Sequence, residues 1–286
     1  MKRADLALAS ICLIWGATFV LVKSALDHVS ALLFLTLRFS IAALVLSLVF
    51  GFAGSLRLKL TRDHWMGAMI PGALLFSGYV LQTFGLKYTT PGKSGFLTGL
   101  YVVLVPVFSA AGYRLRPHIS ELIGVALAMA GMALIGFPEE GFHFNRGDLL
   151  TVGCAVVYAC HILVLGHYAR KLRYEWLAVG QLATGALLGG ATFWWTERPY
   201  VSWNRDTILA VVITSVFATA FAFAVQSWAQ SRTTPTRTAL IFALEPVFAL
   251  LTSYIVMNEV LSGRALTGAA LILGGIVFVE IKPVGT

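Results

Sequence analysis

Apolar residues along this chain come in long blocks, broken by short charged hinges rather than by regular polar alternation. A helix rises about 1.5 Å per residue, so roughly 20 apolar residues carry it across a bilayer. Ten segments reach that length: 4–25, 29–52, 64–87, 92–113, 119–137, 147–168, 175–196, 206–231, 235–257 and 264–282. Transmembrane strands would instead show alternation in pieces of about ten residues, and that pattern is missing. Three prolines, Pro71, Pro106 and Pro246, fall inside predicted helices and are expected to act as hinges, because proline removes a helix hydrogen bond. The ninth segment carries the oddest stretch, LIFALEPVFALL at 240–251, which sets Glu245 and Pro246 in mid-span.

Composition agrees with the pattern. Of 286 residues 58% are hydrophobic and 12% charged, whereas soluble domains carry about 25% charged residues. No interval between the blocks is long enough to fold alone, so the chain is expected to be an all-α integral membrane protein. Its formal charge of +8 does not point to nucleic acid, because Lys and Arg sit at block ends and no basic, aromatic-interleaved patch occurs. Cys12, Cys154 and Cys160 lie inside apolar runs and are odd in number, which speaks against a disulfide framework. Neither the cysteines nor the six histidines show metal-ligand spacing. No metal or cofactor is expected; the partners are the lipid bilayer and a small-molecule substrate. The first apolar run continues to about Ala25 without a signal-peptidase-like site, so it is expected to stay as the first span.

Orientation follows from Lys and Arg in the hinges. One side receives Lys2, Arg3, Arg57, Lys59, Arg62, Arg114, Arg116, Arg170, Lys171, Arg173, Arg232, Arg237 and Lys282. The other receives Lys23, Lys87, Lys93, Arg146, Arg198, Arg205 and Arg264, together with the acidic pair Glu139-Glu140. The richer side is expected to be cytoplasmic, which puts both termini there and the chain in the cell (inner) membrane.

The chain also resembles itself. A shift of 144 residues lays Thr89-Thr90-Pro91 on Thr233-Thr234-Pro235, Lys93 on Arg237, Gln82 on Gln226, and GVALAMAGMALI (124–135) on GAALILGGIVFV (268–279). A shift one residue shorter lays Asp5 on Asp148, Trp15 on Tyr158, Thr18 on His161 and Arg62-Asp63 on Arg205-Asp206. Duplication divides the chain into residues 1–143 and 144–286, each with five spans. An odd number turns the second unit upside down relative to the first. Two inverted five-helix repeats are a common plan for secondary transporters, with substrate bound near the midplane between them.

The stretches WGATFVLVK, FLTLRFSIA, TTPGKSGFLTGLYVVLVPVF and TRTALIFALEPVFALLTSYIVMNEVLSGRALTGAALILGG resemble the EamA branch of the drug/metabolite transporter superfamily. The resemblance covers the whole chain and is strongest in the last stretch. It implies a ten-helix exporter or permease of amino acids or related small metabolites, built around a central cavity. One departure stands out. Members of the family often have proline where the repeat places Val102, but here the proline is Pro106, so the bend of that helix is expected about one turn further along.

Polar residues deep in the spans mark the candidate site. Arg38 and Glu245 are too central to reach the membrane surface, and a charge at such depth costs about 3 kcal/mol or more. They either pair with each other or face a wet cavity, where Glu245 can bind a substrate ammonium or exchange a proton. His161 is a second candidate for proton exchange, or an interhelical hydrogen-bonder. Gln82 and Gln226 bridge helices or touch substrate. Of the aromatics inside spans, Trp15, Tyr79, Tyr101, Tyr158 and Trp228 are candidates for the cavity wall, whereas Trp65, Trp176, Trp194, Trp195 and Trp203 lie near span ends, where an interfacial belt forms. Lys93 and Arg237 open the fourth and ninth spans as headgroup anchors or as gating pairs at two mouths. Gly95, Gly99, Gly124, Gly131, Gly185, Gly189, Gly268 and Gly275 allow close helix packing.

These features favour alternating-access transport. A membrane-embedded enzyme would need a nucleophile with a base, or metal ligands, on facing helices, and no such motif occurs. A passive channel remains as a further alternative, as do organic-cation or drug efflux and organic-acid permeation within transport. No Walker A motif supplies direct ATP drive. Oligomeric state is not legible in the sequence.

Overall fold

The computed structural model describes residues 3–56, 60–113, 117–137, 144–257 and 261–281. Lys2, Arg57, Lys59, Arg114, Arg116, Lys282 and the Glu139-Glu140 pair, used above for orientation, lie outside these described residues. The first half comprises α1 (Arg3–Ala25), α2 (Ala31–Phe52), α3 (Arg62–Leu86), α4 (Pro91–Thr98), α5 (Tyr101–Tyr113) and α6 (Ile119–Gly136). The second comprises α7 (Arg146–Ala169), α8 (Tyr174–Thr196), α9 (Arg205–Ser215), a π-helical turn (Val216–Phe221), α10 (Ala222–Gln230), α11 (Pro235–Phe242), α12 (Glu245–Met257) and α13 (Gly263–Ile281). Extended pairing among the described residues is confined to one antiparallel bridge between Val29 and Val201.

Eight of the helical stretches are long and apolar enough to cross a membrane, taking α4–α5, α9–α10 and α11–α12 as single stretches. The remaining two expected spans are present as the helices α1 and α13. Large apolar side chains face outwards, among them Leu44, Leu48, Val49 and Phe52 on α2 and Leu187 on α8. Such a surface is unfavourable in water and suited to acyl chains. This is a multi-pass membrane protein.

Local chemistry sets the helix starts. In each Thr-Thr-Pro motif the second threonine caps a helix and the proline takes its first position, where no N–H is missed. Thr90 Oγ1 accepts from the Lys93 N–H at the start of α4, and Thr234 Oγ1 accepts from the Arg237 N–H at the start of α11. Asn145 and Asn204 cap α7 and α9 in the same way.

Both fourth-span equivalents are broken in mid-bundle, at Gly99–Leu100 and Ala243–Leu244. These positions are 144 residues apart, so the expected displacement of the first bend towards Pro106 is wrong. The ladder is interrupted by tight turns instead, with Val102 N–H donating to the Gly99 carbonyl and Val103 N–H to that of Leu100. Pro106 lies inside α5 and Pro71 inside an unbroken α3, so neither marks a break. Pro246, at the second position of α12, does.

Two helices of the first half run along their repeat mates. α6 packs along α13 and α2 along α8, while α3 lies against α7 and α8. The α6–α13 contact is close because it is lined by glycine on both sides: a Cβ on Gly131 would overlap the Gly268 carbonyl, and one on Gly124 would press on that of Gly275. Gly85 near the end of α3 touches Gly147 at the start of α7, and Gly67 near the start of α3 touches Tyr168 near the end of α7, so the two run antiparallel. Two apolar cores result, one around α1, α5, α6 and α11, the other around α2, α3 and α8. Trp15 and Tyr158 pack against both cores.

Candidate functional site

Between the two cores lies a cavity that is partly open to solvent. Its wall gathers Trp15, Arg38, Tyr79, Gln82, Tyr101, Tyr158, His161, Gln226 and Glu245. Each comes from a different helix position, but most are repeat mates: Trp15 with Tyr158, Gln82 with Gln226, and Tyr101 with Glu245, the first residues after the two helix breaks. A broken helix gives the cavity a side chain that starts from the bundle's interior, which a straight span cannot do as directly.

Arg38 does not pair with Glu245, contrary to the ion-pair expectation. The π-helical turn holds it instead. Within that turn Thr219 Oγ1 donates to the Thr214 carbonyl at 2.8 Å. Arg38 Nε donates to Thr219 Oγ1, and Nη2 donates to the Ala218 carbonyl and the Tyr79 hydroxyl, each at 3.3 Å. The guanidinium also stacks over the Tyr79 ring, 4.8 Å from its centroid. The same Ala218 carbonyl accepts from Trp15 Nε1 at 2.8 Å. One carbonyl of the π-turn thus orients two cavity residues. Arg38 is thereby neutralised by dipoles only, and Glu245 receives no hydrogen bond or ion pair from any described residue.

His161 Nε2 lies 2.9 Å from Gln181 Oε1, whose Nε2 donates to Ser227 Oγ at 3.1 Å. The acceptor on Gln181 assigns the proton to His161 Nε2. This chain ties α7, α8 and α10 together, so His161 has the interhelical bond as one of its two anticipated roles. Gln181 is the repeat mate of Arg38, at the shift of 143 residues, and the sequence reading passed over it. Trp228 does not line the cavity. Two residues along a helix is about 200° of rotation from Gln226, and Trp228 instead packs under Arg232, 4.5 Å from its ring.

Lys93 and Arg237 each join an ion pair within the protein. Lys93 Nζ forms an ion pair with Asp148 at the start of α7, which also accepts from Thr89 Oγ1 at 2.7 Å. Arg237 grips Asp5 on α1 with two bonds, 3.0 Å from Nε and 2.9 Å from Nη2. The partners are repeat mates as well. Because Gly166 near the end of α7 touches Pro235, the two pairs sit at opposite ends of α7. Each joins one half of the chain to the other.

Several wall residues escaped the sequence reading, notably Thr98 and Phe242, which are also repeat mates. Both lie three residues before the first residue of the next helix segment, a spacing that was legible once the break was placed. Trp194, Trp195, Trp203 and Trp65 are exposed near helix ends. Among the described residues no group of three His, Cys, Asp or Glu side chains could hold a metal ion.

The model of the EamA-like transporter family matches the chain twice, over residues 2–137 and 145–281. The chain belongs to this family. Among its relatives is a protein of Archaeoglobus fulgidus described as an uncharacterized transporter, 37% identical over 281 residues, covering 98% of this chain and 86% of that one. A Salmonella typhimurium protein described as a probable amino-acid metabolite efflux pump is 26% identical, covering 96% and 94%. The aromatic amino acid exporter YddG of Ancylobacter novellus is 27% identical, covering 92% of each chain. A solved crystal structure superposes with a TM-score of 0.83 at 22% identity, covering 99% of this chain and 98% of that one, which shows the shared fold. This EamA-like chain is accordingly a membrane transporter, and the names of its relatives are those of transporters rather than enzymes.

Proposed function

We propose that the protein is a secondary transporter that exports small organic metabolites, amino acids among them, by alternating access through the central cavity. The observation that carries this reading is the charge arrangement: Arg38 and Glu245 line one aromatic-walled cavity without pairing with each other. A substrate with an ammonium and a carboxylate complements both. Two matches of one family model and the entry of α4 and α11 from opposite ends of α7 support ten spans in two inverted units, 1–143 and 144–286. The surplus of Lys and Arg supports cytoplasmic termini in the inner membrane.

In this reading the ion pairs Lys93–Asp148 and Arg237–Asp5 are latches at the two mouths, one parting as the other holds. Glu245 is the proton-exchanging group, in a cavity wall that also holds Arg38, Tyr79, Tyr101, Tyr158 and His161. Counterflow in proteoliposomes tests this. Saturable exchange of labelled amino acids is expected, and Glu245→Gln removes its dependence on pH. Unsaturable currents would point to a channel, chemical turnover without a gradient to an enzyme, and either would end the proposal.

A further inference from the structure

A second recess, where α5, α7 and α11 meet, shares no wall residue with the central cavity. Its floor is Ser109, Leu163 and Gly166, all buried, and its rim is His167, Arg170 and Lys171, all exposed. The half-buried Pro235 of α11 completes the lining. The α7 residues recur every three or four positions, so they form one stripe along that helix. The stripe changes character with depth. Arg170 and Lys171 follow directly on Ala169, the last residue of α7, at the level where the chain leaves the membrane. Leu163 lies two turns, about 10 Å, further into the span.

The two fixed charges on the rim are uncompensated. No carboxylate lines the recess, and neither Arg170 nor Lys171 forms an ion pair with any described residue. Other cations near this end of the bundle are engaged. Arg173 is matched by Glu175 and Arg237 by Asp5, each at 2.9 Å, while Arg232 lies over the Trp228 ring. Two like charges on adjacent residues, above an apolar floor that runs into the membrane, call for a ligand that is anionic at one end and apolar at the other.

Basic pockets between transmembrane helices suit anionic lipid headgroups. We propose that this recess binds an anionic phospholipid, its phosphate held by Arg170 and Lys171 and the upper part of an acyl chain laid against Leu163, Gly166 and Pro235. A free phosphate ion matches the rim but leaves the floor uncovered, and a zwitterionic lipid brings a cation to a rim that already carries two. Pro235 opens α11 and lies against Gly166, so a lipid seated here braces α11 on α7 and stabilises the folded chain by mass action. The site stands apart from the central cavity and does not depend on the transport reading.

Native mass spectrometry of the purified, delipidated full chain tests this, with dioleoyl phosphatidylglycerol, dioleoyl phosphatidylcholine or glycerol phosphate added in turn. The first phosphatidylglycerol should be held at least about tenfold more tightly than the first phosphatidylcholine, the scale expected of two basic residues at an anionic headgroup. Phosphatidylglycerol should also raise the melting temperature, and glycerol phosphate should not. Arg170→Gln and Lys171→Gln should each weaken phosphatidylglycerol binding about fivefold, and together they should abolish the preference. Arg62→Gln removes an exposed charge at the same end of the bundle, on α3, whose start meets the end of α7 through Gly67 and Tyr168 rather than through the recess. It should leave binding unchanged. All three side chains are exposed, so the variants keep the fold. Equal affinity for the two lipids, an undiminished preference in the double variant, or an equal loss in Arg62→Gln would overturn the proposal in favour of diffuse surface charge. A melting shift from glycerol phosphate as large as that from phosphatidylglycerol would overturn it in favour of a plain anion site.

Discussion

Arg38 is a buried cation without an anionic partner, which is a costly arrangement for a fold to keep for stability's sake. Replacing a buried charge by an apolar residue of similar length is often neutral or stabilising. Arg38→Met is therefore expected to leave the melting temperature unchanged or raised by a few degrees, while phenylalanine affinity falls about tenfold relative to phenethylamine. A melting temperature lowered by ten degrees would assign Arg38 to the scaffold. Thr219→Val removes both the Arg38 contact and the side-chain bond to the Thr214 carbonyl. It should lower stability by about 1–2 kcal/mol, measured by chemical denaturation in mild detergent.

Helices here are joined by three devices that differ in strength: ion pairs at the ends, glycine contacts along the sides, and caps. The two ion pairs are alike in sequence but not in burial. Lys93 and Asp148 are 7% and 0% exposed, Arg237 and Asp5 16% and 1%. Removing one partner of a buried pair costs about 3–5 kcal/mol, because the other charge is stranded. Asp148→Asn should thus lower the melting temperature more than Asp5→Asn, and equal losses would show that the burial difference has no energetic weight. Along the sides, Gly131→Val forces α6 away from α13, an overpacking cost of about 1–3 kcal/mol. Gly190, which faces open space, tolerates the same change, and thermal unfolding of the two variants compares them directly.

For the molecule as a unit, the proposed inverted arrangement predicts where the ends lie. Reporters fused to the N- and C-terminus should both signal the cytoplasm, and cysteines at the start of α4 and the start of α11 should be labelled from opposite faces. A chain with its termini on opposite faces would have an odd number of spans, and the two-unit plan would fail with it. Labelling should also respond to substrate: protection of one mouth with exposure of the other is the expected signature of the two ion pairs exchanging roles.

Much of this architecture is written in one dimension. Span lengths follow from the bilayer's thickness, the starts of α4 and α11 from Thr-Pro chemistry, and the pairing of mates such as Trp15 with Tyr158 from duplication. Depth is legible too, because position within an apolar run measures distance from the membrane surface, which is why Arg38, His161 and Glu245 stood out. Azimuth is not. Whether Arg38 meets Glu245 or the π-turn, and whether Trp228 faces the cavity or Arg232, depends on rotation about helix axes that only packing sets. Nor does an apolar run reveal the π-turn at Val216–Phe221, or a break at Gly99 that no proline announces, since both arise from hydrogen bonds chosen in the assembled bundle. The sequence by itself determined a membrane-crossing, duplicated chain with a few charges at mid-depth. The tertiary structure alone decided that those charges stand apart, leaving Glu245 with its acceptors unfilled, because unsatisfied bonding is a property of neighbours and neighbours exist only once the helices have packed.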